Sequence, residues 1–282
     1  MSSSIESRTI DEEKLNNFLG KVVNDFGAAL SSTLAYIGQK LGLYKAMAGA
    51  PPMTPSELAE RTGTTERYVR EWLINQAAGG YVEYDAESGR YSLPSEHAIA
   101  LTDESSPFFV GGGFYVIKAM AQAQQRIMEA FRNGGGMLWG EHDPDLFLGT
   151  EKFFRPGYTA HLVNEWIPAL TGVEERLKAG GRVADVGCGH GASTIIMAKA
   201  YPNSRFYGFD NHEASIKNAR ERAKEAGVDD RVTFEVSSAR EIPSTEGGYD
   251  LIAFFDCLHD MGDPVGACKR AYETLAEDGS LL

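Results

Sequence analysis

The residues whose types and spacing most clearly suggest a chemical role form a glycine-rich segment in the second half of the chain. Gly187, Gly189 and Gly191 stand at alternate positions, directly after the apolar run Val183–Val186. The run predicts a buried strand, and the amphipathic stretch after the glycines predicts a helix. Such a turn brings a helix N-terminus and bare backbone N–H groups against a ligand, and glycine permits the positive φ angles and close approach that it needs.

A carboxylate follows at the distance expected for a nucleotide site. Asp210 lies nineteen residues after Gly191 and ends the next predicted strand, Arg205–Phe209. An acidic residue at this place can accept hydrogen bonds from ribose hydroxyl groups. Because the glycine segment and Asp210 occur together, they favour a cofactor site over a plain turn without a ligand.

Two classes of cofactor site compete for this segment. Gly187, Gly189 and Ala192 satisfy the dinucleotide pattern G-x-G-x-x-G/A, so an NAD(P)-dependent oxidoreductase is the main alternative. A different pattern requires an acid two residues before the first glycine and a third alternate glycine, which Asp185 and Gly191 supply. With these residues the segment resembles the first motif, D/E-x-G-x-G-x-G, of the class I S-adenosylmethionine-dependent methyltransferases.

This resemblance implies a place for each group around S-adenosylmethionine. In that family the acid lies near the amino-acid end of the cofactor, the glycines pass beneath it, and the second acid holds the ribose. The third predicted strand ends at Ser237–Arg240, where the family usually has an acid beside the adenine; here Ser238 or the Ala239 backbone would serve. The predicted cofactor-binding residues are Asp185, Gly187, Cys188, Gly189, Gly191, Asp210, Asn211, Ser238, Ala239 and Asp256.

A histidine after the fourth predicted strand supplies a candidate base. The phrase His259-Asp260-Met261-x-Asp263 resembles the His-Asp-Trp-Ser-Asp phrase of the small-molecule O-methyltransferases that have an N-terminal winged-helix dimerisation domain. In those enzymes the first histidine is the general base, which implies that role for His259. A neutral imidazole, with a reference pKa of about 6.5, suits proton removal from a hydroxyl near pH 7. Asp260 is expected to orient His259 or to be solvated, and Asp263 to cap the next helix.

The N-terminal part predicts a helical, winged-helix domain over residues 1–106. We expect one helix from Asp11 to about Ala29 and a second through Leu30 to Leu43, with more apolar face than one domain needs, and hence a homodimer. A capping box at Thr54–Glu57 begins a helix, a second helix runs to about Ala78, and a hairpin follows. Acidic residues offset the arginines of the second helix, so dimerisation is favoured over DNA binding. The overall order also resembles a bacterial group of winged-helix methyltransferases.

The remaining chain predicts a pocket region and a cofactor domain. Residues 107–172 are rich in aromatic residues and glycine and are expected to wall an apolar pocket for a small-molecule substrate. Residues 173–282 alternate strand and helix, which predicts a doubly wound parallel sheet of the Rossmann-like α/β class. The chain stops at the start of a fifth predicted strand, so we expect an incomplete methyltransferase domain. The predicted pocket residues are Trp139, Phe154, Tyr158 and His161.

Composition limits the partners and the location. The 282 residues carry a formal net charge of −13, which disfavours nucleic acid and anionic membranes. The three cysteines have no metal-ligand or disulfide spacing, so we expect no metal site and a reducing compartment. No signal peptide is visible at Met1–Ser4, and no apolar run could span a membrane, so a cytoplasmic location is expected. A third possibility is a non-catalytic DNA-binding regulator that senses a ligand.

Overall fold

The computed structural model describes residues 10–282. The first four residues, on which the prediction of no signal peptide depends, lie outside this range. Contacts divide the chain into two compact units, one ending at Ala98 and one running from Ile99 to Leu282. Among the described residues, no helix is both long and apolar enough to cross a membrane.

The first unit begins with one long helix, α1 (Glu12–Leu41), where the sequence predicted two. The prediction of a break near Ala29 is wrong: no proline interrupts the chain there, and the serines and threonine that follow Leu30 do not cap a new helix. The Ser32 and Thr33 hydroxyls instead donate to carbonyls four residues earlier within the helix. Asp11 caps the start and Gly42, in the left-handed conformation, ends the helix.

Three further helices and a hairpin follow in this unit, and the last two of these helices and the hairpin are those that the winged-helix pattern predicted. The helices are α2 (Leu43–Met47), α3 (Pro55–Thr62) and α4 (Glu66–Ala78), and the hairpin pairs β1 (Glu83–Asp85) with β2 (Arg90–Ser92). The predicted capping box at Thr54 and Glu57 is present. On α4, Arg67 pairs with Glu71 and Arg70 with Glu66, so both arginines have carboxylate partners. The prediction that this helix does not bind DNA stays a prediction.

The connecting helices precede the sheet of the second unit. They are α5 (Ser95–Thr102), α6 (Gly112–Asn133), α7 (Pro144–Gly157), α8 (Ile167–Ala169) and α9 (Val173–Ala179). Between α7 and α8 the chain forms a nine-residue π-helix, Tyr158–Trp166, which is rare in proteins and often found near functional sites. Helix α6 begins at Gly112, where its first turn packs closely against α7.

The second unit is built around a five-stranded parallel sheet with the order β5-β4-β3-β6-β7. The strands are β3 (Arg182–Val186), β4 (Arg205–Asp210), β5 (Val232–Val236), β6 (Tyr249–Ala253) and β7 (Leu275–Leu281). The crossover helices are α10 (Ala192–Ala200), α11 (Glu213–Glu225) and α12 (Pro264–Thr274). This confirms the predicted α/β class, and the carboxyl ends of the strands meet at one edge.

Hydrophobic clusters cover both faces of this sheet. One contains Val183, Phe206 and Leu251 with residues of α10 and α11, and the other contains Val186 and Ile252 with residues of α12. The fifth strand starts at Leu275, and its pairing with β6 includes an irregularity between Tyr249 and Leu251.

A close approach in the first unit provides a stability test. A Cβ added at Gly38 would lie 2.6 Å from a ring atom of Trp72 and 2.8 Å from a ring atom of Tyr44. We expect Gly38→Ala to lower the free energy of unfolding by about 1–3 kcal/mol through overpacking. Gly27→Ala, in the same helix but with no atom within 4 Å, is the control and should raise stability by roughly 0.5–1 kcal/mol. Equal effects of the two changes in denaturant unfolding would contradict this packing.

Candidate functional site

The glycine loop after β3 is tied to the end of β4 by backbone hydrogen bonds. The amides of Gly187 and Cys188 both donate to the Phe209 carbonyl, at 2.7 and 3.1 Å, and the Gly191 amide donates to the Cys188 carbonyl at 2.8 Å. All three glycines have positive φ, at 77°, 52° and 77° along the chain. The loop therefore runs along the carboxyl edge of the sheet and ends at the start of α10.

Steric constraints differ among the three glycines. A Cβ at Gly187 would lie 2.7 Å from Cys257 Sγ, and one at Gly191 would lie 2.5 Å from the Phe234 ring. A Cβ at Gly189 would meet no atom within 4 Å, so this glycine leaves the backbone bare. The outer glycines are thus required for packing, and the middle one leaves space in which a ligand can approach the backbone.

Asp185 lies beneath this loop. Its side chain is almost completely buried, and its Oδ2 accepts hydrogen bonds from the Ser193 and Thr194 hydroxyls, both at 2.6 Å. Its Oδ1 has no hydrogen-bond partner within residues 10–282. Burial raises the pKa of Asp185 to about 6. The carboxylate therefore organises the first turn of α10, one layer below the loop surface.

Asp210 stands at the end of β4 and orders the loop from the other side. Its Oδ2 accepts a hydrogen bond from the Gly189 amide at 2.9 Å, and its Oδ1 accepts one from the His212 amide at 2.8 Å. Burial raises the pKa of this carboxyl group. Because each carboxylate oxygen has two acceptor sites, the group keeps capacity for the hydroxyls of a ligand.

These elements enclose a cavity of about 950 Å³, within the size range of small-molecule sites. The structure brings most of the predicted cofactor residues to its wall, whereas Asp185 and Gly191 lie behind the wall. The predicted residues that line it are Gly187, Cys188, Gly189, Asp210, Asn211, Ser238, Ala239 and Asp256.

Aromatic side chains form the opposite wall of the cavity. Trp139, Phe154 and Tyr158 line it as predicted, and Tyr158 packs against Phe255 with ring centroids 5.2 Å apart. His161, which was also predicted to line the cavity, does not line it; its Nδ1 lies 3.0 Å from Glu165 Oε1. Burial raises the pKa of Tyr158, so its phenol stays protonated at neutral pH.

His259 lies at the mouth of the cavity. It occupies a short 3₁₀ turn, Leu258–Asp260, and its Nε2 is 3.4 Å from Asp260 Oδ1. Its side chain is 68% exposed, so solvent and substrate can both reach it. Asp263 caps α12 by accepting a hydrogen bond from the Gly266 amide at 2.8 Å, as predicted.

The neighbouring residues Asp256 and Cys257 have distinct environments. Asp256 is the non-glycine residue with positive φ, at 50°, among residues 10–282. Cys257 donates from its thiol to the Val186 carbonyl, 3.1 Å away, and burial raises its pKa to about 12. The thiol is therefore uncharged near pH 7 and serves to pack the loop rather than to act as a nucleophile.

Several residues of the cavity wall are not among the predicted site residues. Phe147, which belongs to the aromatic region predicted to wall a pocket, and Glu151 come from α7, His190 from the glycine loop, and Arg240 from the turn after β5. His190 lies within the glycine motif, and this position in the sequence could have indicated that it belongs to the cavity wall. The α7 residues reach the site only through tertiary packing, so no local pattern could reveal them.

The burial of Asp185 generates a pH test. Because its folded-state pKa is raised from 3.8 to about 6, the folded state binds this proton more tightly than the unfolded state does. The tighter binding of this proton contributes about 3 kcal/mol to the free energy of unfolding. The contribution is fully present at low pH and is lost as the pH rises from about 4 to about 6. Asp185→Asn keeps an oxygen for Ser193 and Thr194 and removes the titration. Unfolding at several pH values should show that the variant lacks this decline; parallel pH profiles would contradict it.

Two protein-family models match the chain. Residues 177–282 match a methyltransferase domain, and residues 28–103 match the Rv2258c-like winged HTH domain. The first match decides between the two interpretations of the glycine loop in favour of the methyltransferase.

The known proteins that the chain resembles in sequence and in structure are also methyltransferases. The chain is 31% identical over 153 residues to 27-O-demethylrifamycin SV methyltransferase of Amycolatopsis mediterranei, covering 54% of each protein. It spans about half the length of the first curated relatives that it matches. In structure it is similar to mitomycin 7-O-methyltransferase MmcR (TM-score 0.70, 19% identity, covering 95% of this chain and 80% of that one). It is also similar to human N-acetylserotonin methyltransferase, solved with S-adenosylmethionine (TM-score 0.67, 17% identity, covering 100% and 80%).

At these identities the structural likeness establishes the fold, and the family models establish the domains. The chain therefore contains one region that matches a winged HTH domain and one that matches a methyltransferase domain, and its fold is that of the two solved methyltransferase structures named above.

Proposed function

We propose that this protein transfers a methyl group from S-adenosylmethionine to a hydroxyl oxygen of a small molecule. The observation that carries the proposal is that one cavity joins the glycine loop, Asp210 and His259. A cofactor-binding edge and a candidate base thus face the same space, next to an aromatic wall that suits an apolar acceptor.

The residues of the carboxyl edge fit the cofactor. Asp210 has acceptor capacity for the ribose hydroxyls, and the bare backbone at Gly189 allows close approach of the cofactor. Ser238 and Ala239 would flank the adenine, and the remaining predicted cofactor residues other than Asp256 keep the roles that the resemblance implies. S-adenosylmethionine, when bound, supplies a methyl group that is already activated by its sulfonium sulfur.

Asp185 would act on the cofactor site through the loop. Its carboxylate holds Ser193 and Thr194 at the start of α10, and this start determines where the glycine loop ends. Its unpartnered Oδ1 is an acceptor directly below the loop. We therefore assign Asp185 to positioning the loop beneath the amino-acid end of the cofactor.

His259 is proposed to remove the proton of the acceptor hydroxyl. With Nε2 towards Asp260, its Nδ1 can carry the lone pair that accepts this proton, and the Asp260 carboxylate stabilises the resulting imidazolium. The nearby groups with raised pKa values, the Tyr158 phenol and the Cys257 thiol, hold their own protons at neutral pH. We therefore assign the role of base to His259, which lines the same cavity.

Binding of S-adenosylhomocysteine tests the cofactor assignment. We expect saturable binding in calorimetry and no binding of NAD at the same concentrations. Asp210→Asn should weaken S-adenosylhomocysteine binding by about tenfold, because it removes a charged acceptor for the ribose hydroxyls. Asp229→Asn, which removes an exposed carboxylate outside the cavity, is the control. Absence of S-adenosylhomocysteine binding at millimolar concentration would refute the proposal.

Replacement of His259 tests the base. His259→Ala should reduce methyl transfer by roughly 10²-fold or more and leave the S-adenosylhomocysteine affinity within about twofold. His161→Ala is the matched control, because that histidine lies outside the cavity lining. If His259→Ala retains turnover, the histidine is structural and the acceptor loses its proton by another route.

We also propose a homodimer formed through α1. This helix exposes a row of large apolar side chains, of which Phe18, Phe26 and Leu30 are each more than 60% exposed. Phe26→Asp should shift the protein from dimer to monomer in analytical ultracentrifugation, and a monomeric wild-type protein would contradict the assignment.

A cytoplasmic location is proposed on the cysteine pattern. Cys188, Cys257 and Cys268 are all free thiols, which fits a reducing compartment. Cell fractionation that placed the protein outside the cytoplasm would contradict this location.

A further inference from the structure

Negatively charged side chains outnumber positively charged ones around the cavity. Five carboxylates line it, and Arg240 is the single arginine or lysine among the lining residues within 10–282. An anionic acceptor would need a cation in this wall, whereas a cationic acceptor would need an uncommitted carboxylate. The lining carboxylates are Glu151, Asp210, Asp256, Asp260 and Asp263.

The cationic groups near the cavity already have partners. Arg240 Nη1 lies 3.5 Å from Asp263 Oδ2. Arg155 and Arg222 both face Glu151 Oε1, at 2.9 and 3.1 Å, and their cationic heads are thereby directed to a side chain that is 7% exposed. A carboxylate or phosphate entering the cavity would have to displace one of these pairs.

A buried histidine in the wall adds no positive charge. His190 is nine-tenths buried, lines the cavity, and its Nδ1 has no hydrogen-bond partner among the described residues. Burial and the nearby Arg222 lower the pKa of His190, so its imidazole stays neutral near pH 7. It offers hydrogen-bonding capacity to an acceptor but no attraction for an anion.

One carboxylate at the mouth is uncommitted and stands beside aromatic rings. Asp256 is exposed, has neither a hydrogen bond nor an ion pair within residues 10–282, and is held at φ 50°. It follows Phe255, whose ring packs against Tyr158 with a centroid separation of 5.2 Å. A carboxylate next to aromatic faces is a recognised environment for an ammonium ion, since both attract positive charge.

We infer that the methyl acceptor is a hydroxylated aromatic amine, bound with its nitrogen protonated near Asp256, and that aromatic acids and phosphates are excluded. The inference rests on the proposed function and names its substrate class. The cofactor is a net monocation, so it offsets part of the negative field, but Asp210, Asp256 and Asp260 together still outweigh it.

Three probes with the same phenol and different charge test this inference. They are tyramine, the neutral 4-hydroxyphenylethanol and 4-hydroxyphenylacetate, titrated into the full chain with and without saturating S-adenosylhomocysteine. We expect tyramine to bind at least tenfold more tightly than the acid, with the neutral phenol between them. Because the preference is electrostatic, added salt should reduce it.

Charge variants locate the source of the preference. The double variant Asp256→Asn with Asp260→Asn should reduce the ratio of tyramine to acid affinity by at least fivefold, whereas Asp229→Asn should leave it unchanged. Equal or tighter binding of 4-hydroxyphenylacetate, or no binding of tyramine at millimolar concentration, would overturn the inference. Failure of S-adenosylhomocysteine to bind would instead refute the cofactor assignment, and the titrations without it would still report the charge preference.

Discussion

Two consecutive backbone amides donate hydrogen bonds to the same carbonyl oxygen, and these bonds hold together the carboxyl edge of the sheet where the candidate site lies. The Gly187 and Cys188 N–H groups converge on the Phe209 carbonyl, which joins the loop after β3 to the end of β4. Since Asp210 is the next residue, the same contact places its carboxylate within reach of the Gly189 amide. The parallel register of β3 and β4 makes this convergence possible, because it brings Val186 opposite Phe209.

The electrostatics of the edge follow from this arrangement. Asp185 and Asp210 are both withdrawn from water by the packed loop, and burial raises the pKa of each. The free energy cost of holding two carboxylates there is offset by hydroxyl and amide donors rather than by basic side chains. A site built in this way keeps a negative potential that favours a cationic ligand.

Local sequence patterns predicted the parts of the fold that local chemistry determines. The glycine loop, the capping box at Thr54 and the Asp263 cap each depend on residues close in the chain, and the strands depend on short apolar runs. The continuous helix α1 was not predicted, because its sequence pattern fits one long surface helix and two consecutive shorter helices equally well. The lining by Phe147 and Glu151 depends on how α7 packs. The π-helix at Tyr158–Trp166 was not predicted either, because a periodicity of 3.6 residues does not distinguish it from an α-helix.

The left-handed backbone at Asp256 has a consequence for how this protein can change. Glycine adopts such a conformation without steric cost, whereas aspartate carries a modest strain there. A screen for heat resistance would therefore enrich glycine at this position and would remove a carboxylate from the cavity wall. Thermal stabilisation that keeps this carboxylate must come from other positions in the chain.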